Sequence, residues 1–261
     1  MATAIKTVGV AGSGTMGAGI AIVAARAGFK TIVYDTREEA LSRARKQIEG
    51  FFAKSVERKK LTQDQVGKIL SGLSGTTDIA ALAACDIVIE AVFEDLKVKH
   101  DLLSRLNQVC PPHTLFASNT STLSITEIAA GSGREDRCVG MHFCLPAQLM
   151  KLVEMSPGLK TGEATFQAAW DFCKAMGQTP VKTQDSPGFI LNYFLIPFPN
   201  DVIRLVEAGV AAPADIDRAL KTGLGYAMGP LELLDLVGLD THLLVTEALY
   251  AATHEPRAAV P

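Results

Sequence analysis

Between Thr7 and Ala25 the chain carries no charged residue but five glycines, Gly9, Gly12, Gly14, Gly17 and Gly19. Such a run is long enough to cross the ~30 Å hydrocarbon core of a membrane as a helix. So much glycine argues instead for an apolar strand, a tight turn and a helix of small side chains. Ile5 to Ala11 is rich in β-branched residues, as a strand buried on both faces should be. Gly12-Ser13-Gly14-Thr15-Met16-Gly17 then spells G-x-G-x-x-G, and Ala18 to Ala27 reads as the helix. In that setting the first glycine permits the turn, the second lets the backbone approach a pyrophosphate, and the third packs helix on strand. Thr15 and Met16 open the helix, whose free N–H groups and partial positive charge face the phosphates. Thr31 to Tyr34 is a second strand, and Asp35 closes it 18 residues after Gly17. A carboxylate there accepts hydrogen bonds from the adenosine ribose and repels a 2′-phosphate, favouring NAD over NADP, a preference that Arg37 slightly weakens. On the loop alone FAD stays open.

The 261 residues, 48% hydrophobic and 20% charged, supply material for one large or two medium domains. Lys+Arg 25 against Asp+Glu 28 gives a net charge of −3 with no long block of one sign, so neither nucleic acid nor an anionic membrane is an expected partner. The five cysteines, Cys85, Cys110, Cys138, Cys144 and Cys173, never fall in CxxC spacing, so no disulfide framework or zinc ribbon is indicated and no metal site is expected. The N-terminus shows no secretory signal pattern, and the expected location is the cytoplasm.

Glu38 to Lys60 reads as a long charged helix, and Thr62 to Gln65 as the capped start of another. Lys54, Arg58, Lys59 and Lys60 cluster there with Glu57, either as a solvated face or as a phosphate contact for a large substrate. Ile87 to Ala91 is a buried strand, followed by a helix over Leu96 to Val109 that Pro111 and Pro112 stop. Leu115 to Ala117, Val139 to Phe143 and Lys151 to Val153 are further strands. Strands alternating with helices imply a doubly wound parallel sheet of Rossmann type, with ligands at the carboxyl ends of the strands. That rule gathers Glu90 to Glu94, Ser118 to Thr122 and His142 to Pro146 around one crevice. His142 ends one strand and Glu154 follows the next, so a His–Glu pair can form in which the carboxylate fixes the imidazole tautomer and the other ring nitrogen takes a proton from a substrate hydroxyl. A single histidine at a strand end is also a common structural feature, and the residues alone leave both readings open.

After Asp185 the composition changes. Ser186-Pro187-Gly188 is a break, and helices without strands follow, dividing the chain into an α/β domain over 1–185 and a helical domain over 186–261. Phe189 to Ala208 is long and apolar, and Pro197 and Pro199 predict a kink. Pro213 to Leu220, Leu231 to Val237 and Leu239 to Ala252 are shorter helices whose leucines serve either the domain's own core or a dimer interface.

From Ile5 to Tyr250 the sequence resembles the L-3-hydroxyacyl-CoA dehydrogenases, especially the stand-alone bacterial 3-hydroxybutyryl-CoA dehydrogenases. The motifs are Gly12 to Gly17, Ile89-Glu90-Ala91-Val92-Phe93-Glu94, Ala117-Ser118-Asn119-Thr120-Ser121, Gly140-Met141-His142-Phe143, Met150-Lys151-Leu152-Val153-Glu154, Asp185-Ser186-Pro187-Gly188-Phe189 and Met228-Gly229-Pro230-Leu231-Glu232. The resemblance implies NAD-dependent oxidation of an L-3-hydroxyacyl-CoA, with His142 as general base, Glu154 as its orienting partner, and Ser121 and Asn192 hydrogen-bonding the substrate. It implies Glu94, Lys99 and Asn119 beside the cofactor, Lys54 and Arg58 near the CoA phosphates, and a homodimer formed through the helical domain. The sequence departs at Leu145, where the family usually carries asparagine, at Ala147-Gln148, and at Tyr193, an arginine in many relatives. Relatives also continue beyond the position of Tyr250, so a truncated helical domain is expected. Two alternatives accompany this reading: a dehydrogenase of a hydroxy acid without CoA, and an NAD-binding protein without catalysis.

Overall fold

The computed structural model describes residues 5–261, so the expected start of the first domain at residue 1 lies outside the described residues. By contacts the chain divides into one unit running to Asp185 and a second over Ser186–Pro261.

The first unit runs β1 (Thr7–Ala11), α1 (Thr15–Arg26), β2 (Lys30–Tyr34), α2 (Glu38–Glu57), α3 (Gln63–Ser71), β3 (Leu73–Thr76), β4 (Ile87–Glu90), α4 (Leu96–Val109), β5 (Leu115–Ser118), α5 (Ile125–Ala130), β6 (Cys138–Phe143), β7 (Leu152–Pro157), α6 (Glu163–Ala175) and β8 (Thr179–Lys182). One sheet joins the strands in the order β3-β2-β1-β4-β5-β6-β7-β8. The order reverses between β1 and β4, which opens the crevice where a doubly wound sheet takes its ligand. Val10, Ile89, Ala117, Val139, Met141 and Val153 share one core with α1 and α2. On the opposite face Tyr34, Val88, Phe116 and Cys138 pack with Leu102, Leu103 and Leu106 of α4. A strand covered on both faces needs apolar side chains at every position, which is why β1 and β4 lack alternation.

The sheet departs from the expected all-parallel form. β1 to β6 run parallel, but β7 pairs antiparallel with β6, and β8 parallel with β7. The connection 144–151 is too short for the crossover of a dozen or more residues that a parallel pair requires. Glu154 accordingly lies inside β7 rather than beyond a strand ending at Val153. β3 and β8, the two edge strands, were not legible as strands. Leu73-Ser74-Gly75-Thr76 has no apolar run, and Pro180 is tolerated in β8 at the sheet edge. The expected capped start of α3 takes the form of a capping box, with Thr62 Oγ1 accepting from Gln65 N and Gln65 Oε1 from Thr62 N.

The second unit holds α7 (Leu191–Leu195), α8 (Pro197–Glu207), α9 (Pro213–Leu224), α10 (Pro230–Val237) and α11 (Leu239–Thr253), with no strand among the described residues. The kink expected in 189–208 falls at Ile196, which keeps right-handed helical dihedrals between α7 and α8, and Pro197 opens α8 at a position where a missing N–H costs nothing. Its buried apolar cluster is small, Ile196, Leu249 and Ala258 with Val245 against them. Leu224, Leu236, Leu239, Leu244 and Phe194 remain exposed. No helix among the described residues is long and apolar enough to cross a membrane.

Candidate active site

The glycine loop after β1 borders a cavity of about 480 Å³, closed by Asp35 and Arg37 after β2, Ala91 to Phe93 after β4, and Arg43 and Arg105 from α2 and α4. The first and third motif glycines are fixed by their surroundings. Gly12 adopts φ +102°, and a Cβ there would lie 2.5 Å from the Ala91 carbonyl oxygen. At Gly17 it would lie 1.8 Å from the Gly12 oxygen, so helix and turn meet without room for a methyl. Gly14 has nothing within 4 Å, the open approach that a pyrophosphate needs. The first turn of α1, with Thr15 and Met16, has no acidic residue and no side-chain cap, leaving its N–H groups for an anion. The site therefore fits a dinucleotide.

Asp35 Oδ2 accepts from Ser13 N at 2.9 Å and Ser13 Oγ at 2.7 Å, and Oδ1 from Arg37 N at 3.1 Å. Burial alone would raise its pKa. The Ser13 and Arg37 hydrogen bonds and the Arg37 charge outweigh it and hold the carboxyl below the usual range.

A second polar group gathers after β4 and β5. Glu94 Oε1 accepts from Thr120 Oγ1 at 2.6 Å, Ser121 N at 2.8 Å and Thr122 N at 2.9 Å. Lys99 Nζ lies 3.2 Å from Glu94 Oε2 and 2.8 Å from Glu90 Oε1. Burial opposes ionisation of Glu94, but the Lys99 ammonium and these donors prevail and hold its pKa down to about 2. Asn119 Oδ1 accepts from Phe143 N at 2.9 Å, fastening the end of β6 to the segment after β5.

His142 and Glu154 face each other directly across the antiparallel pair β6–β7. His142 Nδ1 is 2.8 Å from Glu154 Oε2, and Glu154 is 1% exposed. The pairing follows from register: Val139, Met141 and Phe143 point into one core, so His142 projects from the other face, where Glu154 also points. The carboxylate on Nδ1 fixes the orientation of the imidazole ring. Burial, reinforced by the Glu154 charge, pushes the neighbouring Cys144 thiol up to about 11, so it stays protonated at neutral pH and is no thiolate nucleophile.

The structure thus collects Gly12, Gly14, Thr15, Met16 and Asp35 around one cavity, and Glu94, Lys99 and Ser121 in one cluster. Lys54 and Arg58 are exposed at the end of α2 and do not line that cavity. Asn192 lies on α7 of the second unit. Sequence reasoning missed Arg43 and Arg105 around the cavity and gave Ser13 no role beyond its place in the motif, while Glu90, Thr120 and Thr122, which it gathered around the crevice, were assigned no part in the cluster. Only the motif positions of Ser13, Glu90 and Thr120 offered a signal. Among the described residues no three His, Cys, Asp or Glu side chains gather to hold a metal ion.

A doubly wound sheet with a glycine-lined dinucleotide cavity, and a buried histidine–carboxylate pair in the same unit, define a nucleotide-dependent oxidoreductase. Residues 7–186 match the family described as 3-hydroxyacyl-CoA dehydrogenase, NAD binding domain, and residues 188–261 its C-terminal domain. The chain is 46% identical over 243 residues to the mitochondrial hydroxyacyl-coenzyme A dehydrogenase of Rattus norvegicus, covering 91% of this chain and 77% of the relative. Among solved structures, FadB2 of M. tuberculosis matches with a TM-score of 0.96 at 38% identity, over 99% of this chain and 92% of that one. The (S)-3-hydroxybutyryl-CoA dehydrogenase PaaH1 of Ralstonia eutropha matches with a TM-score of 0.93 at 36% identity, over 98% and 90%. The chain belongs to the 3-hydroxyacyl-CoA dehydrogenase family, and it is an NAD-dependent oxidoreductase.

Proposed function

We propose that this chain interconverts an L-3-hydroxyacyl-CoA and the 3-ketoacyl-CoA, with His142 as general base. The observation that carries the reading is the His142–Glu154 pair at 2.8 Å in the unit that also forms the dinucleotide cavity. Nε2 takes the proton from the substrate's 3-hydroxyl, while Glu154 accepts the Nδ1–H and stabilises the imidazolium that forms. Bound NAD supplies the hydride acceptor. Glu154 cannot itself exchange protons with water at its depth of burial, so its part is to hold the tautomer. Ser121 and Asn192 are the proposed hydrogen-bonding groups for the substrate, and Lys54 and Arg58 the cations for the CoA phosphates. Asp35, Glu94, Lys99 and Asn119 are assigned to the cofactor side, Lys99 acting through Glu94 because it is 1% exposed.

Leu145, Leu149 and Met150, in the connection between the strands of His142 and Glu154, are all exposed. This apolar stretch supports an acyl group larger or less polar than a short hydroxybutyryl chain. The reaction is a step of fatty-acid β-oxidation, and the cytoplasm is the proposed location. The uncovered leucines of the second unit support a homodimer through its helices. The test is NADH consumption with 3-ketoacyl-CoA thioesters of graded length beside the matching free acids. Turnover of the thioesters alone, rising with chain length, is expected. Turnover of the free acids would favour a substrate without CoA, and silence despite NADH binding would refute catalysis.

A further inference from the structure

Glu90 ends β4 with no solvent exposure, and all its partners donate to it. Lys99 Nζ reaches its two carboxyl oxygens at 2.8 and 3.0 Å, Val92 N lies at 3.2 Å, and Ser118 Oγ completes the set. Lys99 is buried as well and also pairs with Glu94, so two carboxylates share one ammonium and the cluster carries a net charge of −1. Stability alone does not account for this arrangement, because apolar groups of similar volume commonly replace a buried ion pair without loss. The placement adds a reason. In a doubly wound sheet the dinucleotide crosses the switch point from the β2 side, marked by Asp35, to the strands beyond it. Its far ring then lies by the ends of β4 and β5, where Glu94 is the partly exposed member of the cluster, its side chain 35% accessible.

We infer that the Glu90–Lys99–Glu94 cluster selects the oxidation state of the bound cofactor, favouring the positively charged oxidised nicotinamide over the neutral reduced ring, with Glu90 as a positioning residue. The inference rests on the cofactor placement proposed above. Glu90 occupies the ammonium of Lys99, so that the charge of Glu94 is not cancelled. Without Glu90, Lys99 and Glu94 would form a neutral pair.

The test measures dissociation constants for NADH by fluorescence titration and for NAD by competition, in the wild type and in Glu90→Gln. Glu90 is fully buried, so a merely structural role weakens both forms alike and leaves their ratio unchanged. The electrostatic role weakens NAD specifically, and unit charges on the order of 12 Å apart at an effective dielectric near 20 predict a roughly tenfold change in the ratio. Should Glu90→Gln fail to fold, Glu94→Gln removes the same charge from a partly exposed position and is read in the same way. An unchanged ratio in the folded variant overturns the inference while leaving the proposed reaction intact. Failure of the wild type to turn over any thioester overturns the reaction and leaves the ratio test standing.

Discussion

Replacing Glu154 by glutamine separates its geometric role from its electrostatic one. The amide is nearly the same size, and its oxygen can still accept the Nδ1–H of His142, now paired at 2.8 Å. What is lost is the negative charge opposite the imidazolium. A charge pair about 4 Å between centres at an effective dielectric near 20 is worth about 4 kcal/mol. With roughly half of the histidine charge developed in the transition state, the loss is ~2 kcal/mol, or roughly 30-fold in kcat. Stability should change little, because the amide keeps the hydrogen bond to Nδ1 and introduces no charge into the strand pair. Glu154→Ala removes the tautomer anchor as well, and a base without its orienting partner loses more, on the order of 10²–10⁴-fold. The assay is steady-state oxidation of an L-3-hydroxyacyl-CoA with NAD, the direction in which the histidine charge develops, accompanied by NADH binding and thermal melts for each variant. The dinucleotide cavity does not include Glu154, so NADH affinity should match the wild type. Turnover of Glu154→Gln within about threefold of the wild type would refute the electrostatic role assigned to the pair.

Two further outcomes follow from the same geometry. Glu94 has its pKa lowered from 4.5 to about 2, so its stabilising contribution is present above pH 4.5 and is lost as the pH falls toward 2. A shift of this size is worth about 3 kcal/mol, and solvent screening of the partly exposed side chain reduces it to ~1–2 kcal/mol. Urea unfolding of the wild type and Glu94→Gln should differ by that amount at pH 7 and converge in acid. Gly17→Ala places a methyl 1.8 Å from the Gly12 carbonyl oxygen, which forces helix and turn apart. The expected loss is roughly 1–3 kcal/mol of stability, with weakened NADH binding, and calorimetry with titration reads both.

The parts legible in the sequence are those where one local rule acts alone. The glycine loop, Asp35, the α4 boundaries and the Thr62 capping box each follow from steric or hydrogen-bonding demands within a few residues. The edge strands β3 and β8 were hidden because their position in the sheet, rather than an apolar pattern, makes them strands. The place of Glu154 was misread for a related reason: the strand was cut short at the charged residue, although a buried partner makes a charge tolerable inside a sheet. Glu90 shows the same effect, reading as the polar end of a strand until Lys99 from the next helix meets it. Likewise the glycine of Met228-Gly229-Pro230 explains itself only in three dimensions, since an added Cβ would lie 2.2 Å from the Asp217 side chain that caps α10.

The antiparallel step from β6 to β7 is what gives the histidine its carboxylate. With a period of two, a slip of one residue would turn Glu154 to the opposite face, away from His142. The register is therefore pinned on both sides. Gly140 stands opposite Ser156, and a side chain at that glycine would collide with Ile125 of α5 at 2.8 Å. At the other end, Phe143 N donates to Asn119 Oδ1 at 2.9 Å, while Asn119 N donates to Glu90 O at 2.9 Å. A continuous series of hydrogen bonds thus joins the strand of His142 to the anionic cluster after β4. One residue thus holds the strand of the proposed proton-transfer pair through its side chain and the end of β4 through its backbone, so Asn119 has a positioning task whether or not it touches the cofactor.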